Sequence, residues 1–117
     1  METSTFEVQG MKFILNGRSF DTATSTAVAV TRGVYDGYNS GYPERGSADE
    51  VRFERILYRT AKGALFVHSH ETAKFSKGKP VVADTAEEIE QREAALWIQK
   101  HGAAILDDTG LDLPEEA

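Results

Sequence analysis

Histidine is the side chain best suited to acid–base or metal chemistry near neutral pH, and the chain carries three, His68, His70 and His101. Two of them sit in His68-Ser69-His70-Glu71. Residues two apart on a strand point to the same face, so these two imidazoles could share one divalent ion. A third ligand would have to come from Glu71 or from elsewhere. Two imidazoles alone fall short of the ligand count of a zinc site. A strand end with one packed and one exposed histidine is the stronger reading, and neither a metal nor another cofactor is expected. The alternative kept beside it is a metal-dependent enzyme at His68 and His70.

Other catalytic chemistry has less support. There are no cysteines, which removes disulfides, thiolate ligands and Cys nucleophiles. No serine stands in G-x-S-x-G or beside an evident base, and no glycine pattern matches a phosphate-binding or dinucleotide loop. The expectation is a protein that is not an enzyme.

Three features suit binding instead. Tyr35-Asp-Gly-Tyr38-Asn-Ser-Gly-Tyr42 has the composition of recognition loops, where tyrosine gives contact area with few rotors and small residues adapt. Arg52, Arg55, Arg59 and Lys62 alternate with aromatics, which would suit a nucleic-acid surface. The acidic balance of the chain, net −6 with a pI near 5.0, disfavours that second reading. Residues 84–117 hold ten acids against two bases. Glu87, Glu90, Asp107 and Asp108 could present carboxylates to the arginines of a partner. The plainer reading of that segment is a solvated helix face with a frayed end.

The elements that must position these residues follow from local pattern. Asn16-Gly17 between Met11–Leu15 and Arg18–Phe20 is a hairpin signal, because both turn residues need φ > 0. Asp21-Thr22 reads as a helix N-cap, opening a short helix over 23–31. The glycine-rich stretch 33–50 reads as a long loop. Residues 53–59 and 64–70 form a second hairpin with apolar groups on both faces, as central strands have. Pro80–Ala83 reads as an edge strand. Asp84 or Thr85, each with a glutamate three residues on, caps a long helix bearing Ile89, Ala94, Trp97, Ile98 and His101 on one stripe and ending at Gly102. The expected fold is α+β: an antiparallel sheet of four to five strands, built from two hairpins, with one short and one long helix packed on one face. Residues 1–10 read as an N-terminal extension, 11–106 as a single domain, and 107–117 as an acidic flexible tail.

Lys12-Phe-Ile-Leu-Asn-Gly-Arg-Ser-Phe-Asp-Thr22 and Leu57-Tyr-Arg-Thr-Ala-Lys-Gly63, with Phe66 and His68, are the most distinctive stretches. They resemble the N-terminal signature and central hairpin of a family of small bacterial proteins associated with phages and mobile elements. That family often has a glycine-rich segment after the histidine, where this chain has His70-Glu-Thr-Ala-Lys74. The resemblance implies a protein-binding module of a phage or mobile element that inhibits a host defence complex, in the manner of an anti-CRISPR protein. Its partner would be a host protein or nucleoprotein complex in the bacterial cytoplasm, with no membrane. Its contacts would come from Tyr35, Tyr38, Tyr42, Glu87, Glu90, Asp107 and Asp108. A nucleic-acid-binding accessory protein using Arg52, Arg55, Arg59 and Lys62 is the alternative.

Overall fold

The computed structural model describes residues 10–36, 50–75, 79–107 and 111. A hairpin of β1 (Lys12–Leu15) and β2 (Arg18–Asp21) forms a small sheet of its own. A second, five-stranded antiparallel sheet contains β3 (Thr26–Asp36), β4 (Glu50–Arg59), β5 (Leu65–Lys74), β6 (Val81–Ile89) and the two-residue β7 (Ala104–Ile105), in the order β6-β5-β4-β3-β7. One α-helix, α1 (Ala94–His101), lies between β6 and β7 in sequence. The α+β class holds, with strand content well above the expectation. None of the helices among the described residues is long and apolar enough to cross a membrane.

The first hairpin forms as its turn chemistry requires. Asn16 (φ 53°) and Gly17 (φ 77°) both take the left-handed region, the pair a type I′ turn needs. It does not join the main sheet. It lies against the face that carries Tyr58, Phe66 and His68. Phe20 (2 % exposed) meets Phe66 edge-on at 5.2 Å, Phe66 stacks on Tyr58 at 5.2 Å, and the Phe13 ring lies 5.2 Å from His68. Asn16 and Arg18 reach Glu88 on β6, which ties the turn to the sheet edge.

Two helix expectations are corrected. Asp21 does cap, its carboxylate accepting from Ala23 N at 2.9 Å, but the product is one 3₁₀ turn, Thr22–Thr24. Of the residues expected as a helix over 23–31, those from Thr26 onward enter β3. Val28, Val30, Thr31 and Val34 are β-branched and lose χ1 freedom in a helix, whereas a strand accommodates them. β3 pairs with the whole of β4, with a bulge at Val28. The long loop expected over 33–50 is corrected at its ends, where β3 runs to Asp36 and β4 begins at Glu50; 37–49 lie outside the described residues.

The long helix is corrected in the same way. Asp84 and Thr85 do not cap it; they lie inside β6, whose nine residues all pair with β5, from Ala73↔Val81 to Leu65↔Ile89. A capping signal is local and modest, about 1 kcal/mol. Here it competes with a full ladder against a strand whose edge would otherwise be open. The helical segment begins only at a 3₁₀ turn, Gln91–Glu93, where the Glu93 carboxylate accepts from Glu90 N at 2.8 Å. Its end matches the sequence: Gly102 takes φ 59°, and Ala103 N donates to Ile98 O at 3.0 Å.

The core lies between α1 and one face of the large sheet. Val28, Ala29, Leu57, Leu65, Val67, Ala94 and Ile98 form it, with Ile89, Trp97, Ala103 and Leu111 packed around. Thr31 Oγ1 donates to His101 O at 3.1 Å and pins the helix end to β3. The opposite face of the same strands is covered by the hairpin, so β4 and β5 are buried on both sides at this end, as their two-sided apolar pattern requires. Farther along, Phe53 lies over its cross-strand partner Gly33; a Cβ there would come within 2.6 Å of the ring.

Candidate functional site

Among the described residues, the hairpin covers only part of its face of the large sheet. Beside it a cleft of about 500 Å³ opens. One wall is the chain entering and leaving the hairpin, Gly10 and Met11 with Thr22 and Ala23. The strands are held in place by Met11 N donating to Thr22 Oγ1 and Thr22 N to Met11 O, both at 2.9 Å. The floor is the sheet itself, with Ile56 and Tyr58 as its apolar part.

The polar floor is one cross-strand row. Register aligns Arg32, Glu54, His70 and Asp84 on four adjacent strands, and all four line the cleft together with His68. Neighbouring strands lie about 4.8 Å apart, so side chains in such a row reach one another. Arg32 Nε pairs with one Glu54 oxygen. His68 Nε2 and His70 Nδ1 both meet a single Asp84 oxygen, Oδ1, at 2.8 Å. A neutral imidazole facing a carboxylate donates its one N–H and keeps a lone pair on the other nitrogen. In their neutral forms His68 thus donates from Nε2 and His70 from Nδ1, and His70 Nε2 is left as an acceptor.

Burial raises the Asp84 carboxyl, but the hydrogen bonds from His70 and His68 outweigh it and hold the group below the ordinary carboxylate range. Tyr58 moves the other way, its phenol raised by burial and then by the Glu54 carboxylate. Asp84 is ionised at neutral pH, Tyr58 is not, and among the described residues the cleft carries two carboxylates against one guanidinium.

The structure brings His68 and His70 to one face, as their spacing requires. The third group against them is Asp84, which the sequence reading had assigned to a helix cap. Glu71, the neighbour considered as a ligand, points to the opposite face and lies 3.6 Å from Arg55. Among the described residues there is no group of three or more His, Cys, Asp or Glu side chains disposed to hold a metal ion. The two ring nitrogens converge on an oxygen atom at hydrogen-bond distance, with that oxygen standing where a shared cation would sit.

The basic residues of the central hairpin do not form one surface. Arg52 lies on the cleft side, 2.6 Å from Glu50. Arg55 and Arg59 lie on the helix side, paired with Glu71 and with Asp107 at 3.2 Å. Lys62 is in the β4–β5 turn. The acids are dispersed as well. Glu87 is exposed on the helix side of β6, Glu90 pairs with Arg92 at 2.8 Å, and Asp107 is engaged by Arg59, while Asp108 lies outside the described residues. Of the tyrosines in 35–42, Tyr35 is in β3 opposite Val51, and Tyr38 and Tyr42 lie outside the described residues.

No family model, curated protein or solved structure matches the chain. The functional reading therefore rests on the site.

Sequence reasoning missed Glu54, Arg32, Tyr58 and Asp84 as companions of the histidines. The alternation of β4 does place Glu54, Ile56 and Tyr58 on one face. What joins that face to His70 and Asp84 is register, which two strands' sequences do not state.

Proposed function

We propose that the protein is a non-enzymatic binding module that engages a partner protein through the open part of its sheet, centred on the cleft. The observation that carries this reading is the cleft itself: a concave site of ligand size, with an apolar floor and a few convergent polar groups fixed by strand register. Its groups lie on strands rather than loops, so their spacing is rigid before binding. The ion pairs that occupy Arg52, Arg55 and Arg59 favour this reading over a nucleic-acid surface, which needs free cations along one face.

The partner we propose is a host defence complex in the bacterial cytoplasm, with a CRISPR effector as the named candidate. That choice is supported by the resemblance of Lys12–Thr22 and Leu57–Gly63 to proteins of phages and mobile elements. Tyr35, Tyr38 and Tyr42 would add to the contact, whereas Glu87 and Glu90, on the outer side, would not.

The test is immunity. Expression of the chain in CRISPR-immune bacteria challenged with the targeted phage is expected to restore plaque formation, and a Glu54→Gln/His70→Ala variant to restore far less. Unchanged immunity across hosts bearing different effector types would sink the defence-inhibitor reading.

A further inference from the structure

Resting on the reading of the cleft as a binding site, we infer that it takes an alkyl-guanidinium group, the side chain of an arginine on the partner. The inference comes from what the lining groups can still do once their contacts to each other are made. Asp84 Oδ1 is used by the two imidazoles, and one Glu54 oxygen by Arg32. Among the described residues, left over are the second oxygen of each carboxylate and, in the neutral imidazole, the Nε2 lone pair of His70, all of them acceptors. Glu54 and Asp84 flank His70 in one row, on the strands either side of it. A planar fork of N–H donors suits such a row better than a point charge, because it can bond two acceptors at once. Among the described residues, an anion would meet two carboxylates and one guanidinium.

The apolar floor fits the same group. Ile56 and Tyr58 line the cleft beside the acceptor row, and Met11 forms its rim. These surfaces cover the methylene stem of an arginine while the head reaches the acceptors. The net charge of −6 adds a long-range field that draws cationic segments toward the protein.

Arg32 decides the sign of the test. Among the described residues it is the one cation lining the cleft, and it occupies Glu54. Removing it frees a carboxylate oxygen and deletes a like charge, so Arg32→Gln is expected to tighten the binding of a cation. A merely structural role for the row predicts the reverse or no change.

The experiment titrates wild type, Arg32→Gln and Glu54→Gln with acetyl-Gly-Arg-Gly-amide, its norleucine counterpart, butylguanidinium and acetate, following amide and imidazole resonances. Thermal melts confirm that each variant is folded. The expected result is saturable shifts at His68, His70 and Asp84 with the arginine peptide only weakly matched by norleucine. Affinity should fall roughly tenfold in Glu54→Gln and rise several-fold in Arg32→Gln. Equal binding of norleucine, binding of acetate at the cleft, or weaker binding in Arg32→Gln would overturn the inference. Butylguanidinium binding as tightly as the peptide would overturn the assignment to a protein partner. The immunity assay reads the proposed function separately, so failure of the cation site and failure of the inhibitor reading are distinguishable.

Discussion

Asp84 is the residue on which the strand reading and the helix-cap reading of 84–90 give opposite predictions. In the structure its Oδ1 accepts from His68 and His70 at 2.8 Å each, with Asp84 18 % and His68 14 % exposed. A hydrogen bond to a charged group is worth about 1.5–3 kcal/mol when well shielded. Partial exposure, and the 45 % exposure of His70, reduce that, so Asp84→Ala is expected to cost about 2–3 kcal/mol for the pair together. Asp84→Asn keeps a neutral acceptor and is expected to cost about 1 kcal/mol. A helix N-cap would treat Asp and Asn alike. Thr85→Val sharpens the contrast: valine suits an exposed strand position but is a poor cap costing about 1 kcal/mol, so the variant is expected to be near neutral. Urea unfolding of the three variants gives these values directly.

The pH dependence follows in sign. Because the Asp84 carboxyl is lowered in the folded state, its contribution is fully present above its unfolded pKa and is lost as pH falls through the folded value. The gap between wild type and Asp84→Asn thus closes in acid, as pH falls through the folded Asp84 value below the ordinary carboxylate range. A neutral Asp84→Asn together with a destabilised Thr85→Val would refute the reasoning, since only a cap behaves that way.

Other perturbations test the frame around the site. Leu57→Ala, at a fully buried position between β3, β5 and α1, is expected to cost about 2–5 kcal/mol in denaturant unfolding. Gly33→Ala forces a Cβ to within 2.6 Å of Phe53 and is expected to cost about 1–3 kcal/mol, most of it recovered in a Gly33→Ala/Phe53→Leu double variant. Arg52→Glu with Lys62→Glu is expected to leave any weak DNA or RNA retention at low salt unchanged, measured by filter binding; a marked loss would revive the nucleic-acid reading.

The parts of the fold that rest on short-range chemistry are legible in the sequence. Asn16-Gly17 can hardly be anything but a tight turn, Gly102 after Lys100-His101 is a helix end, and the two-sided apolar pattern of 53–59 and 64–70 marks the central strands. The misread segments are those where a local signal competes with a long-range one. Asp21 caps a single turn before β-branched residues prevail. The acidic run at 84–90 looks like a helix start, yet lies along the open edge of β5. The candidate site was half legible for the same reason. His68-Ser-His70 announces two imidazoles on one face, but Asp84, Glu54 and Arg32 reach them only through a register spanning four strands. The hairpin's docking on the opposite face from α1, which makes the cleft wall, is likewise a tertiary fact.

The central claim is that the cleft is the binding surface, and partner capture tests it most directly. Wild type, the cleft variant Glu54→Gln/His70→Ala and the outer-face variant Glu87→Gln/Glu90→Gln would each be immobilised and exposed to lysate of a bacterial host that carries an active CRISPR effector. Retention of the defence complex by wild type and the outer-face variant, with loss from a folded cleft variant, is the expected result. Equal retention by all three would contradict the account.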